Sequence, residues 1–206
     1  MFTDITTTII AIGLYALSMS ISPGPVNMLA LSCGVRLGLR KAMGFVSGAT
    51  IGFSLLLLAI GLGLSNLVDP SSVLFKLLKF SGLGFIAWIG FRIATSAPEN
   101  GVIQHRDTQN EPTGGSTGAF WHGFLLQWLN PKAWLACIAG IAAFGVSSLH
   151  ELWVFSGIYF CICYPSIAAW ALLGNRLQQW LRSSRNMRRF NLVMGLSLIL
   201  VATSMI

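Results

Sequence analysis

A chain of 206 residues in which 54% of the side chains are hydrophobic and 9% are charged is excluded as an ordinary water-soluble globule, whose surface is usually about a quarter to a third charged. Its mean hydropathy of +0.72 points instead to an integral membrane protein. The net charge of +7 does not call for a nucleic-acid partner, because the basic residues sit in short gaps between apolar runs, as expected for cytoplasmic loops.

The N-terminal Met1-Phe2-Thr3-Asp4 carries an acid and lacks the Lys or Arg of a cleaved signal peptide, so the first helix is expected to remain. Six apolar runs follow, at about 5–32, 42–64, 74–95, 119–145, 151–173 and 190–206, most of them near the length that crosses a hydrocarbon core. Arg36, Arg40 and Lys41 follow the first run, Arg92 and Arg106 the third, and Arg176, Arg182, Arg185, Arg188 and Arg189 the fifth. Asp69, His150 and Glu151 occupy the other two gaps, with Lys76 and Lys79 as contrary cations able to snorkel. That bias predicts both termini outside and three basic gaps in the cytoplasm. Trp121, Trp153 and Trp180 fall at predicted interfaces, whereas Trp88, Trp128, Trp134 and Trp170 lie deeper, where packing or cavity lining is expected.

The first run contains Ser22-Pro23-Gly24-Pro25-Val26-Asn27. Proline donates no N–H and clashes with the carbonyl four residues back, so the carbonyls of Met19 and Ile21 lose their helical partners and the helix breaks. Non-helical backbone at membrane depth is tolerated only where it packs in protein or lines a wet cavity. The fourth run carries a second break, Gln127-Trp128-Leu129-Asn130-Pro131-Lys132, and the fifth carries Pro165. With three runs in each half, the fourth enters from the side opposite the first. The expected fold is all-α: six transmembrane helices in two inverted three-helix repeats, with helices 1 and 4 broken near mid-membrane. One transmembrane domain spans 1–206, with repeats at about 1–96 and 119–206 and a cytoplasmic loop at about 97–118. In the second run Gly44, Gly48 and Gly52 make a small-residue face for close helix packing. Gly34 and Gly38 extend a similar spacing beyond the first run.

Both breaks read as helix starts, Asn130 before Pro131 offering a good N-cap and Gly24 before Pro25 a poorer one. Their free N–H groups and positive dipole ends suit an anion. Lys132, about 20 Å into the fourth run at about 1.5 Å per residue, adds a full charge where an ammonium is costly. It has a structural alternative as well: a hydrogen bond to carbonyls released by a proline. Ser20, Gly24 and Asn27 share one helical face, and Gln127, Asn130, Trp134 and Cys137 another. A small zwitterion fits this set, its carboxylate on the half-helix N-termini and Lys132, its ammonium on freed carbonyls. The candidate binding residues are Pro23, Gly24, Pro25 and Asn27 in the first run, and Gln127, Asn130, Pro131 and Lys132 in the fourth. The acids Asp4, Asp69, Glu99, Asp107, Glu111 and Glu151 sit in gaps or at ends, so none offers a buried proton relay.

Nothing in the chain calls for a cofactor. It has no phosphate-binding Gly-x-x-x-x-Gly-Lys sequence, and His105, His122 and His150 form no metal-spaced or triad-like set. Cys33 and Cys137 fall in the two broken runs, so a transmembrane thiol–disulfide electron carrier is the alternative function. Oligomeric state is left open.

Pro23-Gly24-Pro25 in the first span, Asn130-Pro131-Lys132 in the fourth and Ile93-Ala94-Thr95-Ser96 at the end of the third resemble the LysE/RhtB family of bacterial amino-acid exporters. The resemblance covers essentially the whole chain. It implies an inner-membrane secondary transporter, not an enzyme, that exports an amino acid or small derivative from cytoplasm to periplasm by antiport with protons. It does not decide which amino acid. The lack of buried acids makes a cationic substrate less attractive.

Overall fold

The computed structural model describes residues 2–64, 73–95, 115–178 and 180–204, and their regular elements are all helical. The elements are α1 (Phe2–Ile21), α2 (Pro25–Ala59), a π-helical turn (Ile60–Leu64), α3 (Val73–Ala94), α4 (Gly115–Trp128), α5 (Pro131–Ala143), α6 (Leu149–Leu177), a 3-10 turn (Trp180–Arg182) and α7 (Ser184–Ser204). Most of the loop expected at about 97–118 lies outside the described residues, as do Asp69, Glu99, Asp107 and Glu111; residues 115–118 open α4. By length and composition Leu149–Leu177 and Pro25–Gly63, the latter kinked at Gly38, are apolar enough to cross a membrane. Large apolar side chains face outward along α1 (Ile9, Ile10, Leu14), α6 (Trp153, Phe160, Leu173) and α7 (Val193, Leu196, Leu200), a surface suited to lipid.

The second helix is two helical segments joined at a kink. Gly38 has φ 75° and ψ 164°, a region essentially restricted to glycine, and the chain reverses there. Before it, contacts with α6 rise together in number: Leu31 lies against Gly174, and Gln178 donates to the carbonyls of Gly34 and Val35. Beyond it they fall, from Leu39 with Asn175 to Ser47 with Tyr164 and Phe53 with Tyr159. The basic gap read after the first run is therefore mostly helical. Asn175 Oδ1 accepts the Leu39 N–H at 3.0 Å and helps to fix the reversal.

Small residues set the closest approaches. A Cβ on Gly44, Gly48 or Gly52 would strike the backbone of Ser116, Phe120 or Phe124, and one on Gly123 would strike that of Phe45. The Gly44 to Gly52 face is thus the seam against α4. Gly90 and Gly195 make the matching seam between α3 and α7.

Three expectations change. Pro165 does not break its helix, since α6 runs unbroken from Leu149 to Leu177. Its start is fixed by a capping box in which Ser148 accepts from the Glu151 N–H and Glu151 accepts from the Ser148 N–H. The last helix begins at Ser184, ahead of the expected position near 190, and includes Arg185, Arg188 and Arg189 in its first turns. Trp88 is 52% exposed, with the Arg92 guanidinium 5.2 Å from its ring centre.

Candidate functional site

Both proline breaks are present. Helix α1 ends at Ile21 and α2 begins at Pro25; α4 ends at Trp128 and α5 begins at Pro131. Tyr15 donates to the Ala136 carbonyl at 2.8 Å, and a Cβ on Gly140 would meet Tyr15 again, while Lys132 reaches Ser22. Rising numbers in α5 thus meet falling numbers in α1, so α5 runs antiparallel to α1. The N-termini of α2 and α5 come together around Gly24 and Lys132.

The carbonyls stranded at the end of α1 each find a side chain. Ser22 Oγ donates to Met19 O at 3.2 Å, and Trp170 Nε1 donates to Ile21 O at 3.0 Å. Asn27, 4% exposed, bridges the break by donating its amide to Ser20 O at 2.8 Å and Ser22 O at 2.7 Å. Lys132 Nζ donates to Ser22 Oγ at 2.7 Å, Ser22 O at 3.0 Å and Pro23 O at 3.4 Å. Its charge rests at the negative end of the α1 dipole. This is the structural alternative foreseen for Lys132: in this conformation the protein's own ammonium occupies the carbonyls expected to receive a ligand's.

The two helix starts differ chemically. Asn130 caps α5, its Oδ1 accepting from the Lys132 N–H at 3.2 Å, and its carbonyl accepts from the N–H groups of Ala133 and Trp134. Gly24 has no side chain, and no side chain caps α2. The anion-binding end expected at both helices is therefore open at α2 and already satisfied at α5.

A cavity of about 40 Å³ lies between the breaks. It has room for about two or three waters and none for an amino acid while Lys132 lies across it. Gly24, Asn27, Gln127, Asn130 and Lys132 line it, while Pro23, Pro25 and Pro131 shape the backbone behind and do not. Sequence reasoning missed Phe53, Tyr159, Cys163 and Ile167, which also line it. The last three stand four residues apart on one face of α6, a stripe that reads as ordinary core. Ser20, already on the predicted face, lines the cavity at 8% exposure, its side chain beside Tyr159 and Cys163.

The proposed redox pair fails on geometry. From starts that meet at Gly24 and Lys132, α2 carries Cys33 about 12 Å one way and α5 carries Cys137 about 9 Å the other, at about 1.5 Å per residue. A disulfide needs Cα atoms within about 7 Å.

The model of the family described as "LysE type translocator" matches residues 17–206. The chain belongs to the LysE type translocator family. Among curated relatives of this translocator, the cysteine/O-acetylserine efflux protein of Escherichia coli O139:H28 (strain E24377A / ETEC) is 31% identical over 91% of this chain and 92% of its own length. Those of Escherichia coli (strain K12) and Shigella flexneri serotype 5b (strain 8401) are 30% identical over the same shares. No solved structure matches the chain.

Proposed function

We propose that this translocator is a secondary exporter of a small zwitterionic amino acid, moving it from cytoplasm to periplasm across the bacterial inner membrane in exchange for protons. The observation that carries the reading is the cavity between two broken helices, lined by Gly24, Asn27, Gln127, Asn130 and Lys132. The substrate carboxylate sits on the open N-terminus of α2, and its ammonium takes the carbonyls of Ser22 and Pro23 once Lys132 withdraws. The relatives' cysteine and O-acetylserine are small, neutral and zwitterionic, and a compound of that class suits a cavity without a carboxylate among its described lining residues.

The six spans form two inverted repeats in a single transmembrane domain over 1–206, both termini lying in the periplasm. Opposite directions of α1 and α5 support the inversion, and so do paired contacts: α1 packs on α6 as α4 packs on α2, and α3 meets α7 across Gly90 and Gly195.

The test is to express the chain in a bacterium deleted for its own exporters and to measure which amino acids leave cells loaded with dipeptides. Export of a small neutral amino acid is expected, with Asn130→Ala and Lys132→Ala inserted in the membrane but inactive. Undiminished export by both variants would remove the site.

A further inference from the structure

The seat at the end of α1 holds one ammonium. Ser22 O, Ser22 Oγ and Pro23 O accept all three bonds that Lys132 Nζ makes. A Cβ on Gly24 would stand 3.2 Å from both Cδ and Nζ of Lys132, so the lysine chain fills the space that a ligand's amino group would need. The acceptors are neutral. The titratable groups that line the cavity besides Lys132 are Tyr159 and Cys163 on α6, with Tyr15 of α1 and Cys137 of α5 beside Tyr159, and among the described residues no Asp, Glu or Arg lines it. A lysine driven off these acceptors while charged would give up three oxygen partners in a cavity with no carboxylate among its described lining residues to receive it. Shedding the proton removes that cost, and lysine loses its proton readily when buried.

We propose that Lys132 carries the coupled proton: the substrate's ammonium and the protonated Lys132 compete for the Ser22 and Pro23 acceptors, so loading an amino acid expels one proton from Lys132 Nζ. On the cytoplasmic side the substrate displaces the lysine ammonium, whose proton passes to cavity water and the N–H bonding pair stays on Nζ as a neutral amine. On the periplasmic side the substrate leaves, Nζ takes a proton from that side, and the ammonium returns to its seat. One zwitterion moves out and one proton moves in. This rests on the transport reading above, and it assigns the exchange to a shared seat without any acidic residue.

The experiment uses the full chain, purified in detergent, with L-cysteine kept reduced as the probe. Proton release on binding is read with a pH indicator in weak buffer, and affinity is measured from about pH 5.5 to 8.5. The wild type is expected to release about one proton per L-cysteine, its affinity tightening about tenfold per pH unit while the empty site is protonated. Ser22→Ala removes the shortest bond to the ammonium and is expected to move the midpoint of release to lower pH. Lys132→Arg keeps a cation that cannot give up its proton, so its binding is expected to be independent of pH or excluded, with no proton released. Binding without proton release in the wild type would overturn the proposal and place a charged Lys132 on the substrate carboxylate. An unmoved midpoint in Ser22→Ala, or proton release by Lys132→Arg, would equally overturn it. If the wild type binds neither L-cysteine nor any amino acid exported by loaded cells, it is the transport reading that fails.

Discussion

Replacing Gly24 by serine tests which helix end receives the substrate carboxylate. Gly24 precedes Pro25 in extended conformation, with φ −166° and ψ 175°, which any residue adopts, so Ser enters without backbone strain. Its hydroxyl can cap the α2 N–H groups as Asn130 caps α5. Gly to Ser at an N-cap gains only a few tenths of a kcal/mol, which for a chain of this size is a rise in melting temperature of about 1 °C. The same hydroxyl occupies the donors offered to a carboxylate, and losing a hydrogen bond to a charged group costs about 1.5–3 kcal/mol, or roughly 10- to 150-fold in affinity. Gly24→Ala is the control, since it adds the same Cβ 3.2 Å from Lys132 Cδ and Nζ but no cap. The assay pairs thermal melts in detergent with L-cysteine affinity and export. A melt raised by no more than about 1 °C for Ser, a loss of affinity of at least tenfold for Ser and only a few-fold for Ala are expected. Equal behaviour of the two variants refutes an anion seat at α2.

Asn27→Ala strips the donor from Ser20 O and one of two donors from Ser22 O, about 2–4 kcal/mol; a melting temperature lower by roughly 5–15 °C is expected, and a melt within a degree of wild type would show that the bridge does not hold the break. In Gly48→Val the new side chain collides with the Phe120 backbone, so α2 and α4 separate and immunoblots should find little protein in the membrane; a normal level there would refute the seam. Because Cys33 and Cys137 lie far apart, Cys33→Ser with Cys137→Ser should leave export intact, and an abolished rate would reinstate the pair. With one seat for each charge, N-acetyl-L-cysteine and cysteamine should compete at least tenfold more weakly than L-cysteine for binding; parity of either one counts against the zwitterion site.

The proline grammar made both breaks legible, because the loss of an N–H and the clash at the fourth residue back are local. Met19 and Ile21 were named from that rule, and Ser22 and Trp170 supply their missing donors. What the rule cannot name is the donor itself: Trp170 lies 149 residues from Ile21 in sequence, and its role depends on α6 packing parallel to α1. Pro165 shows the opposite limit, since the same residue type sits within an unbroken α6 and Ser166 Oγ donates to Ile162 O at 2.7 Å beside it. Gly38 was read as part of a packing stripe. Its positive φ, the feature that turns the chain, belongs to a backbone conformation that a glycine permits and does not announce.

Two equivalent breaks would have given a cavity faced by two positive helix ends, well suited to an anion and poorly suited to an amino acid. The side chains divide the roles. Asn130 satisfies α5 with its own oxygen and leaves Lys132 as the cation of that half, while Gly24 leaves α2 open. Within the first break itself the chain passes from the carbonyl end of α1, at Ser20 to Pro23, to the amide end of α2, at Val26 and Asn27, so a negative and a positive pole lie a few residues apart on one side of the cavity. An amino acid presents the complementary pair, ammonium and carboxylate on one carbon. Lys132, reaching in from the opposite half, mimics only the ammonium. The N–H groups at the start of α2 stay uncapped while the seat is self-occupied, and the cavity admits a zwitterion only as the lysine withdraws.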